Sequence, residues 1–145
     1  MVILMTHKHL VPTGSKPLKL KAQVIPGYWV DPDGKIWSTK DPGNPRMLAT
    51  HVSGRSPYYK LGVMINNKRM FVDLHRAVAE SLLPMPKPKE IRRVIWRQMS
   101  ATEKSFCWQA YEVNHIDHDR LNNHPDNLEW VCKRENLDKR NAHYY

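Results

Sequence analysis

The sequence predicts an α+β fold of small antiparallel strands and short helices. Two stretches, 28–38 and 58–72, alternate apolar and polar residues around turn signals. Residues 74–83 put Leu74, Ala77, Val78 and Leu82 on one helical face. The last 35 residues read as a hairpin with a long polar loop and a following helix.

Each element has a local reason. Residues 1–22 show no period, and Val11-Pro12-Thr13-Gly14-Ser15-Lys16-Pro17 reads as loop, so 1–24 is expected to be a flexible N-terminal arm. Tyr28-Trp29-Val30 and Lys35-Ile36-Trp37-Ser38 flank Asp31-Pro32-Asp33-Gly34, a hairpin closed by a glycine turn. Strand residues 58–65 turn back at Asn66-Asn67 into 69–72. Asp73 is placed to cap the helix over 74–83, which Pro84, Pro86 and Pro88 stop. A basic helix is expected over 90–98, and Ser100 with Glu103 forms a capping box for another reaching Ala110. Strand 113–116, loop 117–127, strand 128–131 and helix 134–143 complete the chain.

Charge divides the chain. Of 145 residues, 23 are Lys or Arg and 14 Asp or Glu, a net charge of +9. Residues 1–50 are +4 and 51–110 are +7, whereas 111–145 are −2. A basic excess serves solubility as well as polyanion binding, but this split puts the candidate phosphate contacts upstream. They are Arg55, Lys60, Lys68, Arg69, Arg92, Arg93 and Arg97. The expected organisation is an arm over 1–24, a basic polyanion-gripping module with a helical insertion over 25–110, and a mildly acidic module over 111–145. No apolar run approaches the ~18 residues of a membrane span. The opening Met1-Val2-Ile3-Leu4-Met5 lacks the basic start of a signal peptide. Cys107 and Cys132 make neither a disulfide framework nor a four-cysteine zinc site. A cytoplasmic setting, with reduced thiols and no membrane partner, is the expectation.

The polar loop is rich in Asn, with Asn114, Asn122, Asn123, Asn127 and Asn136 in or beside it. Phosphodiester hydrolysis needs a base for water and a hard cation to offset charge on phosphate and leaving oxygen. His115 suits the first task. Amide oxygens of Asn114 and Asn136 suit Mg²⁺ or Mn²⁺. Neighbours on a regular strand face opposite ways, so this pairing predicts a bulge or strand end near Asn114.

Asn114-His115-Ile116-Asp117, Asn122-Asn123, Asn127-Leu128-Glu129-Trp130-Val131 and Glu135-Asn136 resemble the motif of HNH endonucleases, in the variant found in phage-borne homing endonucleases. Leu74-His75-Arg76-Ala77-Val78-Ala79 resembles the segment preceding that motif, and the 27–38 hairpin resembles a NUMOD-type module. The resemblance implies a C-terminal ββα-metal fold and metal-dependent cleavage of double-stranded DNA to 5′-phosphate and 3′-hydroxyl ends. It implies His115 as general base and Asn114 and Asn136 as metal ligands. Asn127 would be the central Asn that braces the loop and holds the His ring. Asp117, Asn122 and Asn123 look like loop-shaping residues, and His75 is read as a packing or capping residue. A monomer would nick and a homodimer could cut both strands. A phage enzyme would act in the host cytoplasm. The rival reading is a non-catalytic DNA-binding protein or transcriptional regulator on the same fold. The resemblance departs at Asn114, where a carboxylate is common, and at His118, where a small turn residue is common. The stretch between Pro84 and Tyr111 is also longer than the resemblance leads one to expect.

Overall fold

The computed structural model describes residues 10–52 and 55–134. It is an α+β arrangement of antiparallel strands around one helix. The strands are β1 (Lys16–Leu20), β2 (Gln23–Val30), β3 (Ile36–Ser38), β4 (Arg46–Met47), β5 (His51–Val52), β6 (Tyr59–Ile65), β7 (Lys68–Asp73), β8 (Tyr111–His115) and β9 (Leu128–Cys132). The helices are α1 (Leu74–Leu82), α2 (Arg93–Gln98) and α3 (Ala101–Trp108), with a 3₁₀ turn at Pro125–Asn127. Sheet orders are β1-β2-β3-β4, β5-β6-β7 and β8-β9.

β1 corrects the expected arm from Lys16 onward. It lies on the sheet edge, where Pro17 costs no ladder bond, and it buries Leu18 completely. The register shifts between Pro17 and Lys19, opposite the stretch of β2 that carries Pro26 and Gly27. Lys21 and Ala22, both at positive φ, make the turn. The end of this hairpin is tied to α1, since Lys19 N–H donates to Ser81 Oγ and Lys21 N–H to Glu80 Oε1.

The β2–β3 turn forms as expected. Asp31, buried, accepts hydrogen bonds from Asp33 N, Lys35 N and Trp37 Nε1, each 2.9 Å. Asn66 and Asn67 both take positive φ, which gives the twist a two-residue hairpin needs. Beyond the short β5 no described strand pairs with that edge of β6, and Met64 N–H donates there to the Tyr28 hydroxyl at 2.7 Å. This bond joins two sheets. Tyr28→Phe is expected to cost about 1–3 kcal/mol, because it strands that N–H. Urea denaturation should show a lower midpoint at an unchanged slope.

Helix α1 is the hub. It packs against β1, β2, β6, β7, β8, β9 and the 3₁₀ turn. The core comprises Leu18, Ile25, Tyr28, Val30, Ile36, Leu61, Val63, Leu74, Ala77, Val78 and Leu128. Asp73 stands at the N-cap of α1 but its side chain makes no cap bond; its carboxylate is held 2.8 Å from Lys60 Nζ instead.

The insertion departs from expectation at one end. α2 starts at Arg93, after a turn in which Ile91 N–H donates to Pro88 O. The Ser100–Glu103 capping box forms in full. Neither α2 nor α3 buries a residue. Trp108 Nε1–H donates to Pro86 O, and Trp96 meets Trp108 edge-on at 5.9 Å. Among the described residues no helix is long and apolar enough to cross a membrane, and both cysteines are free. Helical backbone resumes at Lys133–Arg134.

Candidate active site

β8 and β9 pair in one unbroken register from Tyr111↔Cys132 to His115↔Leu128. No bulge interrupts them, and His115 is the last residue of its strand. The second of the two expected irregularities, a strand end, is therefore the one present. Alternation sends His115 and Val113 to one face and Asn114 to the other. The His115 face packs on α1. The Asn114 face carries Glu129 directly opposite, and Asn114 Nδ2 donates to Glu129 Oε1 at 2.9 Å.

His115 is 5% exposed, and its Nε2 lies 2.8 Å from Asn123 Oδ1. Asn123 Nδ2 donates to Leu121 O at 3.4 Å, which turns the amide oxygen toward the ring. An amide oxygen only accepts, so Nε2 of a neutral His115 carries the proton. Nδ1 then keeps its lone pair, as a base requires. His115 also sits among rings: His75 at 5.2 Å and Tyr58, nearly parallel, at 6.0 Å. Tyr58 and His75 are 4.6 Å apart, and the Arg120 guanidinium lies 5.7 Å above Tyr58.

The loop is closed by Asn127. Its Oδ1 accepts from Asp117 N at 3.0 Å, and its Nδ2 donates to Asp117 Oδ1 and Asn122 O, each at 2.8 Å. Asn127 thus braces the loop as expected, but the ring is held by Asn123. That second part of the Asn127 expectation is corrected: the 3₁₀ turn keeps the Asn127 amide on Asp117 while the loop delivers Asn123 to the ring. Asp117 is the loop's acceptor. Asn122 Nδ2, Asp119 N–H and the Asn127 amide hold its carboxyl below the usual carboxylate range. His118 takes φ +63, a left-handed conformation that Gly adopts freely and that His, like Asn and Asp, visits more than most residues.

His75 does more than the sequence indicated. Its imidazole is pushed down to about 4, first by burial; Asp73 opposes this, and His115, Arg76 and Lys60 add to it. Its buried Nδ1 has no hydrogen-bond partner among the described residues. The native protein keeps His75 neutral where the unfolded chain, at an ordinary value of 6.5, takes a proton. Stability is therefore full above that value and falls as pH drops through the window down to about 4. Urea denaturation at neutral and acid pH should show a loss of roughly 1–3 kcal/mol that His75→Phe removes.

The other expected residues are scattered. Arg55, Lys68, Arg69, Arg92, Arg93 and Arg97 are exposed. Arg69 stacks 5.5 Å above Phe71, and Lys60 is paired with Asp73. Asn136 and most of the 134–143 helix lie outside the described residues. Among the described residues no cluster of three or more His, Cys, Asp or Glu forms a metal site. The donors at hand are an amide oxygen, since Asn114 spends its nitrogen on Glu129, and the Glu129 carboxylate beside it. These hard oxygens fit Mg²⁺ or Mn²⁺.

The family model of the HNH endonucleases matches residues 74–138. A solved structure described as DNA binding and cleavage by the HNH homing endonuclease I-HmuI matches with a TM-score of 0.55 at 19% identity. The match covers 81% of this chain and 53% of that one, so the chain spans about half the length of that structure. No curated protein matches the chain. The matched segment holds α1, the insertion and the hairpin that ends in His115, and over these residues the chain is similar to the HNH endonucleases.

Proposed function

We propose that the chain is a metal-dependent endonuclease for double-stranded DNA, of the phage homing type, with a NUMOD-like module upstream of its HNH domain. One observation carries this reading: His115 is buried at a strand end with Nε2 fixed on Asn123, which leaves Nδ1 as a base. The HNH match and the fold shared with I-HmuI support it.

In this reading His115 Nδ1 takes a proton from the attacking water, whose oxygen bonds to phosphorus as the bond to the 3′-oxygen breaks; that oxygen takes a proton from solvent, giving 5′-phosphate and 3′-hydroxyl ends. Asn127 keeps the loop in place, and Asn123 keeps the imidazole in its working tautomer. A bound Mg²⁺ or Mn²⁺ offsets charge on the phosphate and the leaving oxygen. Asn114 would hold it through its amide oxygen, with Asn136 as the second ligand. The Glu129 carboxylate adds the negative charge that two neutral amides lack. Exposed Arg55, Lys68, Arg69, Arg92, Arg93 and Arg97 contact phosphates upstream. Lys60 serves Asp73 first. One chain nicks, and a homodimer would cut both strands.

Supercoiled plasmid incubated at low salt with Mg²⁺ or Mn²⁺, and in parallel with EDTA, tests the proposal. Relaxation only with metal is expected. DNA binding without relaxation, on plasmid and on a phage genomic library alike, would favour the regulator reading.

A further inference from the structure

The β2–β3 turn of the upstream sheet presses on the segment that holds the base. Gly34 is buried at φ +85. A Cβ there would stand 2.6 Å from Asn123 O, 3.3 Å from Pro125 Cδ and 3.5 Å from Val78 Cγ1. One residue earlier, Asp33 Oδ1 lies 3.5 Å from His124 Nε2. Turn residues 33 and 34 therefore meet loop residues 123 and 124. Asn123 is the residue whose Oδ1 sits 2.8 Å from His115 Nε2.

From this contact we propose that the β2–β3 turn is a positioning element for the catalytic loop, with Gly34 as its seat. The inference rests on His115 being the general base. Gly34 touches no reacting atom; it acts through Asn123. Only a residue without Cβ lets the turn come this close to a backbone carbonyl.

Both sides of the contact are stiff. Three hydrogen bonds to Asp31 fix the turn. Asn127 fixes the far side of the loop through Asp117 and Asn122. An added methyl at Gly34 must then displace the Asn123 peptide, and the amide that orients His115 moves with it. A shift approaching 1 Å at a base costs on the order of 10²-fold in rate. The upstream sheet thus has a second task beside DNA contact: it sets the geometry of the chemical step.

A matched control separates positioning from stability. Gly27, in β2, is also at positive φ, +86, but the three atoms nearest a Cβ there all belong to the flexible Lys40 side chain. Gly27→Ala carries a similar backbone strain and leaves Asn123 untouched. The experiment compares full-length parent, Gly34→Ala and Gly27→Ala. It reads thermal melting, binding to a DNA duplex, plasmid relaxation with Mg²⁺, and the ¹⁵N shifts of the His115 ring, assigned by their loss in His115→Ala.

Gly34→Ala is expected to bind DNA as the parent does, to relax plasmid on the order of 10²-fold more slowly, and to shift the His115 ring nitrogens. Gly27→Ala is expected to melt earlier yet to cleave like the parent, with its ring nitrogens unmoved. Equal cleavage by the two variants with unmoved His115 nitrogens overturns the proposal and leaves the nuclease reading intact. A parent that cleaves nothing removes the nuclease reading; the ring shifts alone then decide whether Gly34 orients His115. If Gly34→Ala does not fold, Gly34→Asn replaces it, since Asn tolerates positive φ and carries the same Cβ.

Discussion

Replacing His115 by Ala is expected to slow metal-dependent plasmid relaxation by about 10²–10⁴-fold, the range for loss of a general base. DNA affinity should hold, because in this reading His115 acts on the attacking water, whereas the candidate phosphate contacts are the exposed basic side chains upstream. The substitution also empties a packed site and strands the Asn123 amide, so a stability loss of roughly 1–3 kcal/mol is expected alongside. Melting curves must therefore accompany the rates, which are compared at a temperature where both proteins are folded. A folded His115→Ala protein that relaxes plasmid at the parent rate would remove His115 as the base.

The second large effect is expected at Asn127. Its amide makes three bonds within the loop, and all are lost in Asn127→Ala. The loop then loses its tie to Asp117, while the backbone bond from Ile116 N–H to Asn127 O still closes the strand ends, so the change falls on the loop that carries Asn123. A rate loss on the order of 10²-fold follows if the base moves by about 1 Å. Asn127→Asp is the sharper test. It keeps the oxygen that accepts from Asp117 N–H but sets a second oxygen against the Asp117 carboxylate and the Asn122 carbonyl. The Asp variant should therefore be no better than Ala, and should lose less activity at acid pH, where a shared proton relieves the repulsion. An Asp variant as active as the parent would show that the two donor bonds do not hold the loop.

Local chemistry was legible in the sequence where it suffices. Asn66-Asn67, the Asp31–Gly34 turn, the apolar face of α1 and the Ser100–Glu103 box depend on neighbours a few residues away, and all form. β1 escaped because it offers one fully buried apolar residue, Leu18, beside Pro17. Its turn is made by Lys21 and Ala22, neither a turn signature. Helix spacing gives no sign that Asp73 prefers Lys60 to its own cap, because that ion pair comes from the β6–β7 register. At the site, the motif pointed to His115 and Asn127, and the structure places one at a strand end and the other across the loop from Asp117. The Asn123 contact was not: loop curvature in space, rather than spacing along the chain, chooses which Asn meets the ring. His75 and Tyr58 lie 40 and 57 residues upstream of His115, and only packing on α1 brings their rings to it.

No residue of the insertion helices is fully buried, and Trp96 and Trp108 pack on each other rather than in the core. A segment without core contacts opens at free energies far below that of global unfolding. Amide hydrogens of α2 and α3 will therefore exchange with solvent while those of α1, β6 and β7 stay protected. Two stabilities are expected: the sheets and α1 hold the core around which His115 is set, and residues 93–108 are expected to open ahead of that core.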